Sequence, residues 1–459
     1  MPSLVNLCNQ RFVSCFKRLR NDNDLWENRI AHQLQLLPDT ILPILFAMLR
    51  KSHPGFLSHA IIVTHFMRGS SLSLPFDDLP GAGEKTVLAI SRVNAQVRDL
   101  DLSGFSDIAD DVFARVITKL HSLRSLVLRK CSKVGSKTIA AVIKSCPDIR
   151  IINLNETSVS PAAVAELLVA KGNELEVLKI AGLERWTDAT FMPQFKEKQL
   201  SMPRLQRLKL RGLQISDTSV EFLVSLCPNL KHLDVSFTAA KSFVRRDATP
   251  PPLGKLNMTS TPVTSAILLS TLPSSLTSLS LGALGMRGSI GISSAVTLND
   301  STLEKLTAVL LSCANLHSVN FMSNTKLGTT SQTALFNFIE RVGRRVQHLN
   351  LSGIPSLRSN ALAAFLPLED EPTGSPPLLE TLVLNNTGVD DDSGAYIACC
   401  SSLVRLELEG TRFTSEGLFP IMDACPKLEV LNLTSCRGVK LKDRRRFFEV
   451  WQSQRNEAL

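Results

Sequence analysis

The stretches PNLKHLDVS (residues 228–236) and PKLEVLNLT (residues 426–434) share one apolar pattern. In both stretches, leucine or valine stands at the third, sixth and eighth places, so apolar and polar residues alternate in the second half. A period of two residues is typical of a β-strand that buries one face. We call the seven-residue pattern L-x-x-L-x-L-x, which begins at Leu230 in the first stretch, the leucine frame.

The leucine frame recurs along most of the chain. Its thirteen copies begin at Val97, Leu123, Ile149, Leu175, Leu205, Leu230, Leu253, Leu276, Leu316, Val346, Leu379, Leu403 and Leu428. Most steps between copies are 23 to 26 residues, and four are longer, at 30, 40, 30 and 33. Between frames, segments such as DTSVEFLV (217–224) start with a capping residue and keep apolar residues on one side, which predicts a helix. The repeating unit is therefore strand, loop and helix.

This unit resembles the leucine-rich repeat. Cysteines before the frames, such as Cys146, Cys227 and Cys425, make it similar to the ribonuclease-inhibitor-like, cysteine-containing subclass found in ubiquitin-ligase receptors. The resemblance covers residues 97–436 and implies an α/β solenoid, a horseshoe with parallel strands on the concave face and helices outside. Because the cysteines recur at one repeat position, we expect them to pack in the core and not to form disulfides or a zinc site.

The frame divides the chain into four predicted parts. These are a helical segment over 1–50, a transition with an N-terminal cap or degenerate first repeat over 51–96, the repeats over 97–439, and a cap helix or tail over 440–459. Apolar spacing within the first part predicts helices near 3–19, 25–35 and 39–50. Insert loops are expected at 239–252, 285–300 and 368–377. The basic triplet at 444–446 is interpreted as the solvated face of the cap helix, with a nucleic-acid patch as the alternative.

Bulk properties restrict the function. The net charge is +9 and the pI is near 9.1, which favours acidic partners. The sequence has neither a signal-like start nor an apolar run of the ~18 residues that a membrane span needs, so we expect a cytoplasmic or nuclear protein. Nucleotide-binding, hydrolase and metalloprotease motifs do not occur. The sequence therefore predicts a non-catalytic protein without a cofactor or metal.

The charged residues at the third, fifth and seventh frame positions are expected on the concave face, because the leucines point into the core. In the middle repeats these positions are basic: Arg129, Lys179, Arg207, Lys209, Arg211, His232 and Lys255. Arginine and lysine bind carboxylates and phosphates, so the pattern favours an acidic protein or peptide target. The alternative is that these charges only aid solubility. Nucleic acid is disfavoured, since no aromatic residue offers a stacking platform.

The N-terminal segment carries a second resemblance. SLVNLC (residues 3–8) resembles the BC box, S/T-L-x-x-x-C-x-x-x-aliphatic, by which substrate receptors bind elongin C. LPDTILPIL (residues 37–45) resembles a cullin box of the VHL type. The resemblance implies that elongin B/C and a cullin are partners. It assigns adaptor contacts to Leu4, Cys8 and Phe12, although Phe12 replaces a small aliphatic residue, and cullin contacts to Leu37, Pro38, Ile41 and Leu45.

The whole pattern indicates the substrate-recognition subunit of a cullin-RING ubiquitin ligase. Two alternatives remain open. The segment from Leu36 also resembles the start of an F-box, although the Cys- and Trp-bearing helices of an F-box do not follow it. The chain could also be a non-ligase scaffold or GTPase regulator whose first 90 residues only cap the repeats. A cap buries Leu4 and Cys8, whereas a recruitment helix exposes them to solvent.

Overall fold

The computed structural model describes residues 3–195, 199–283, 298–367, 376–440 and 442–443. The chain forms two compact units. The first comprises Met1–Ile215 with Phe222–Leu230, and the second comprises Ser216–Glu221 with Lys231–Leu459. Among the described residues, no helix has both the length and the apolar character needed to cross a membrane.

Among its described residues, the first unit contains six short parallel strands that pair in sequence order. They are β1 (Ser71–Ser73), β2 (Asp99–Asp101), β3 (Ser125–Val127), β4 (Ile151–Asn153), β5 (Val177–Lys179) and β6 (Arg207–Lys209). The middle residue of each strand is buried and stands opposite the middle residue of the next, as Leu100 stands opposite Leu126. The core of the unit therefore lies behind a ladder of aliphatic side chains.

The helices of the first unit fall into an N-terminal group and a repeat group. The N-terminal group has α1 (Leu4–Asn21), α2 (Asn23–Leu25), α3 (Ala31–Leu36), α4 (Leu42–Ser52) and α5 (His59–Ile61), with π-helical turns at Trp26–Ile30 and Ile62–Phe66. The repeat group has α6 (Glu84–Val93), α7 (Asp110–Ile117), α8 (Ser136–Ser145), α9 (Pro161–Lys171) and α10 (Asp188–Phe191). Helices α6 to α9 pack side by side in sequence order.

The second unit repeats the same design. Its parallel strands are β7 (His232–Asp234), β8 (Lys255–Asn257), β9 (Ser278–Ser280), β10 (Ser318–Asn320), β11 (His348–Asn350), β12 (Thr381–Val383), β13 (Arg405–Glu407) and β14 (Val430–Asn432). Helix α11 (Asp217–Ser225) has residues in both units. The helices that follow are α12 (Ser265–Thr271), α13 (Asp300–Leu311), α14 (Thr333–Arg341), α15 (Ser359–Leu362), α16 (Ser393–Ala398) and α17 (Ser415–Ala424).

The predicted leucine-rich-repeat fold is confirmed. Every one of the thirteen frames holds a strand at its third to fifth positions. A further strand, β1, lies in the part predicted to hold a cap or a degenerate first repeat, in a frame whose first leucine is replaced by Gly69, which has a φ of 83°. That strand makes part of the predicted transition a first repeat. The insert at 239–252 contains no helix and buries Phe243 and Val244.

Three predicted segments lie largely outside the described residues. The inserts at 285–300 and 368–377 are described only at their edges, where α13 begins at Asp300 and the chain resumes at residue 376. The predicted cap helix over 440–459, including its basic triplet, is described only at residues 440, 442 and 443.

Each strand ends in a tight turn at the eighth frame residue. In twelve of the thirteen frames this residue has a positive φ, between 55° and 89°. Seven frames carry Asp or Asn at the fifth position, and its side chain accepts a hydrogen bond from the backbone N–H of the seventh residue. Asp101 with Ser103 and Asn350 with Ser352 are examples, each at 3.0 Å. The fifth position is thus usually a turn-capping position.

The cysteines before the frames are buried, as predicted. The Cys146 Sγ donates to the Leu120 carbonyl at 3.6 Å, and the Cys425 Sγ donates to the Cys400 carbonyl at 3.4 Å. Each acceptor lies at the same place in the preceding repeat, so the thiols join neighbouring repeats. Burial raises the pKa of Cys146 to about 12 and that of Cys425 to about 11. All ten cysteines are free thiols.

Candidate functional site

Helix α1 exposes the apolar residues of its first two turns. Ser3 caps the helix, because its side chain accepts a hydrogen bond from the Asn6 backbone N–H at 3.3 Å. The cap places Leu4 and Cys8 one turn apart on the helix surface. Leu4 is 76% exposed, Leu7 is 47% exposed, and Cys8 is also exposed. The first and fifth residues of the predicted BC box helix therefore face solvent together.

The opposite face of α1 is anchored to the rest of the N-terminal group. Val13 and Phe16 are buried, and α1 packs on α4. The Phe16 ring meets the Trp26 ring edge to face, with 5.7 Å between centroids, and His53 Nε2 lies 2.9 Å from the Val13 carbonyl oxygen. Phe12 is half-buried, with its ring 5.9 Å from that of Phe16. The anchored face holds the exposed face rigidly in place.

The predicted cullin contacts surround the loop between α3 and α4. Pro38 is exposed, and Leu37 and Ile41 are partly exposed. Arg68 holds this loop, because its guanidinium donates to the Leu37 carbonyl at 2.6 Å and to the Leu34 carbonyl at 3.0 Å. The last predicted contact needs a correction.

Leu45 is only 2% exposed. It lies on the side of α4 that packs into the helical core, so its side chain stabilises the segment and is not available to a partner. The neighbouring Ile44 is 47% exposed, and Leu36, just before the loop, is 63% exposed. The sequence motif did not identify Leu36 and Ile44 as exposed. Apolar residues at every fourth position indicate a helix, but they do not show which side of that helix packs against the core.

Basic side chains gather on strands β5 and β6 of the first unit. Lys179 and Lys209 are register partners, as are Val177 and Arg207, so the cations lie on adjacent strands about 4.8 Å apart. Arg207 and Arg211 are exposed, and Lys179 and Lys209 are partly exposed. Burial lowers the pKa of Lys179, and the positive charges of Lys209 and Arg207 lower it further. The cluster is therefore close enough for its charges to repel one another.

The other predicted basic residues differ from this cluster. Arg129 is exposed but already lies near an acid, with its Nε 3.8 Å from Glu156 Oε1. His232 and Lys255 belong to the second unit, where they are register partners on β7 and β8. The predicted basic residues thus fall in both units. In the portion of the chain that the structure describes, no group of three His, Cys, Asp or Glu side chains is arranged to hold a metal ion.

Comparisons with curated proteins identify short matches to plant proteins. The chain is 39% identical to F-box/LRR-repeat protein 23 of Arabidopsis thaliana over 75 residues, which are 15% of this chain and 17% of that protein. It is 27% identical to the F-box protein SKIP19 of Arabidopsis thaliana over 146 residues, which are 32% of this chain and 38% of that protein. The matches thus cover well under half of either relative. No family model matches the sequence.

A solved structure matches over nearly the whole chain. It is a chain of the Rad7 and Elc1 complex of yeast, with a TM-score of 0.55, 14% identity and coverage of 96% of both chains. At this identity the match concerns the fold. The match spans both the N-terminal helical group and the repeats of this chain.

Proposed function

We propose that this chain is the substrate-binding subunit of a ubiquitin ligase. Helix α1 binds elongin C of the elongin B/C adaptor, the loop over 37–41 contacts a cullin, and the exposed strand positions hold an acidic protein target. The observation that carries the proposal is the joint exposure of Leu4 and Cys8. A helix that only capped the repeats would bury these two residues, since exposed clusters of large apolar side chains mark binding surfaces.

The mechanism is one of proximity. The chain has no catalytic role of its own; it holds a lysine of the target near a ubiquitin-conjugating enzyme that the rest of the ligase supplies. Two comparisons support this reading. The matched plant proteins are named F-box or F-box/LRR-repeat proteins, and the yeast neighbour in fold was solved in a complex with Elc1.

A second candidate function is an F-box receptor that uses the segment from Leu36. The names of the plant relatives favour it. In that reading Leu36 and Ile44, which are exposed, contact the F-box adaptor, while α1 has no partner. The burial of Leu42, Leu45, Phe46 and Leu49 leaves α4 with fewer apolar side chains for a partner than α1 offers. We therefore rank the elongin reading first.

Binding to the two adaptors distinguishes these functions. The full chain is immobilised and tested in parallel with purified elongin B/C and with the adaptor of F-box proteins. We expect elongin B/C to bind the wild type and the Leu4→Ala/Cys8→Ala variant to bind at least about 100-fold more weakly, because two central apolar contacts each contribute about 2 kcal/mol. The matched control is Leu36→Ala/Ile44→Ala, which removes two other exposed apolar side chains from nearby elements.

The control is also the test of the alternative. Capture of the F-box adaptor by the wild type, lost in Leu36→Ala/Ile44→Ala and kept in Leu4→Ala/Cys8→Ala, establishes the F-box reading instead. A wild type that captures neither adaptor overturns the ligase proposal and leaves a scaffold.

A further inference from the structure

Three consecutive repeats carry arginine at the second frame position, just before the strand begins. These residues are Arg98, Arg124 and Arg150, and all three are exposed. The Arg124 backbone N–H donates to the Arg98 carbonyl at 2.7 Å, and the Arg150 backbone N–H donates to the Arg124 carbonyl at 2.8 Å. The arginines therefore stand on adjacent strands, about 4.8 Å apart, in a row about 10 Å long.

The chain around this row is also basic. Three seven-residue segments join α6, α7 and α8 to the strands that follow, and together they contain six lysines and arginines but one acid, Asp148. We call these segments the basic edge; they are 92–98, 118–124 and 144–150. Arg92 and Lys144 lie in the last turns of α6 and α8, where a cation stabilises the helix end. The three arginines of the row stand beyond the helix ends, so the helices do not account for their charge.

The next repeat shows that a charge at this frame position can be neutralised within the chain. Its second frame residue is Glu176, and Arg150 Nη1 lies 3.2 Å from Glu176 Oε1. Within the described residues, neither Arg98 nor Arg124 has a carboxylate oxygen within 4.0 Å. Like charges side by side on neighbouring strands repel each other. A carboxylate from outside the chain would relieve that repulsion, as Glu176 does for Arg150.

We propose that the basic edge binds an extended acidic segment of a partner protein, with carboxylates of neighbouring residues paired to Arg98 and Arg124. This inference goes beyond the proposed function, since it uses residues that precede the strands and not the third, fifth and seventh frame positions. Arginine holds a carboxylate through two parallel hydrogen bonds. At about 3.3 Å per extended residue, a run of three to four acidic residues has the length of the row.

A nucleic acid is the other large anionic partner, and it fits the basic edge less well. Tight binding to a nucleic-acid backbone uses about six to ten phosphate contacts, whereas a row about 10 Å long spans about three phosphates of one strand. The basic edge also has no Phe, Tyr or Trp on which a base could stack. An acidic protein segment is therefore the better match.

Fluorescence anisotropy with the full chain tests the inference against three labelled peptide libraries that have degenerate flanks. One library has four consecutive acidic residues, another has four acidic residues that are each separated by two neutral ones, and the last has Gln and Asn in place of the acids. We expect the first library to bind at least about tenfold more tightly than the other two, because only consecutive acids reach both arginines at once. Binding should weaken as salt rises from about 50 to 200 mM.

Two double variants that remove the same charge locate the site. Arg98→Gln/Arg124→Gln should bind the consecutive-acid library at least about tenfold more weakly than the wild type. Lys179→Gln/Arg207→Gln removes two cations from the strand face of the same unit and should change binding by less than about twofold. Because Arg98 and Arg124 are exposed, their variant should melt at the wild-type temperature, which separates lost binding from lost folding.

Three results overturn the inference. The first is equal loss of binding in both double variants, or loss in Lys179→Gln/Arg207→Gln alone. The second is equal binding of the three libraries. The third is tighter binding of a single- or double-stranded oligonucleotide than of the consecutive-acid library, lost in Arg98→Gln/Arg124→Gln, which would assign the basic edge to nucleic acid. The assay contains no adaptor, so its result is independent of the ligase proposal.

Discussion

Asp110 is the first residue of α7, yet its carboxylate caps the helix of the following repeat. It accepts hydrogen bonds from the backbone N–H groups of Gly135, Lys137 and Thr138 at 2.9, 2.9 and 3.1 Å. These groups lie at the N-terminus of α8, where backbone donors lack helical partners. Asp217 and Asp300, the first residues of α11 and α13, likewise accept hydrogen bonds from backbone N–H groups of the next repeat. In these three places a carboxylate at the start of one helix thus links its repeat to the next.

Replacement of Asp110 should destabilise the first unit. We expect Asp110→Ala to lower the free energy of unfolding by about 2 kcal/mol, because three hydrogen bonds to a charged acceptor are lost and helix donors are left without partners. The matched control is Asp111→Ala, which removes only an exposed pair with Arg115 at 3.2 Å and should cost less than about 0.5 kcal/mol. Urea unfolding followed by circular dichroism measures both. Equal losses in the two variants would show that the inter-repeat cap contributes nothing.

At the scale of elements, the strands were predictable and several links between elements were not. The alternation of leucines decides a strand locally, so thirteen frames located thirteen strands. Strand β1, in the part predicted as a cap or degenerate first repeat, could not be located by a frame: it keeps Leu72 and Leu74 but has Gly69 in place of the first leucine. The Asp110 cap joins residues about one repeat apart, and short-range patterns carry no such information. Exposure of Leu4, in contrast to burial of Leu45, likewise depends on which helices pack together.

The two π-helical turns of the N-terminal group meet at a buried histidine. His65 is 5% exposed, and its ring lies edge to face with Trp26 at 5.8 Å. Its Nδ1 has no hydrogen-bond partner among the described residues. Burial lowers the pKa of His65 below its ordinary value, and the positive charges of Arg20 and Arg68 lower it further. The folded segment therefore favours the neutral imidazole.

This arrangement predicts that the N-terminal helices weaken in mild acid. In the unfolded chain His65 binds a proton below a pH of about 6.5, whereas in the folded chain protonation requires a lower pH. The contribution of neutral His65 to the free energy of unfolding is therefore complete above that pH and falls as the pH drops toward the lower pKa of the folded state. Hydrogen exchange of peptides covering residues 20–66, corrected for intrinsic rates, should rise between about pH 7.5 and 5.5. His65→Phe should flatten this rise, and exposed His32→Phe should not. An unchanged rise in His65→Phe would assign the effect to other groups.

At the scale of the whole molecule, the reactivity of the ten cysteines measures which repeats remain folded. Cys8 is exposed, Cys15 and Cys399 are partly buried, and the other seven are buried. Burial raises the pKa of Cys131 and of Cys227 to about 12, so the reactive thiolate is scarce in the folded state even at mildly alkaline pH. We expect iodoacetamide to modify Cys8 first in the native protein, and the seven buried thiols only when their repeats unfold.

Mass spectrometry of alkylated peptides along a urea series gives the order of unfolding. Because each repeat is stabilised mainly by its neighbours, the buried thiols of the first unit should become reactive over one range of urea, and those of the second unit over a range of their own. Thiols that react one after another from a chain end would instead indicate that the repeats unravel singly. Adding elongin B/C to the native protein should then protect Cys8 alone, since Cys15 lies two helical turns further along α1 and is already partly buried, and the remaining cysteines lie in the repeats. Protection of Cys8 with unchanged reactivity of Cys15 and Cys399 would tie adaptor binding to the start of α1. Uniform protection would instead mean that the adaptor binds elsewhere and stabilises the whole chain.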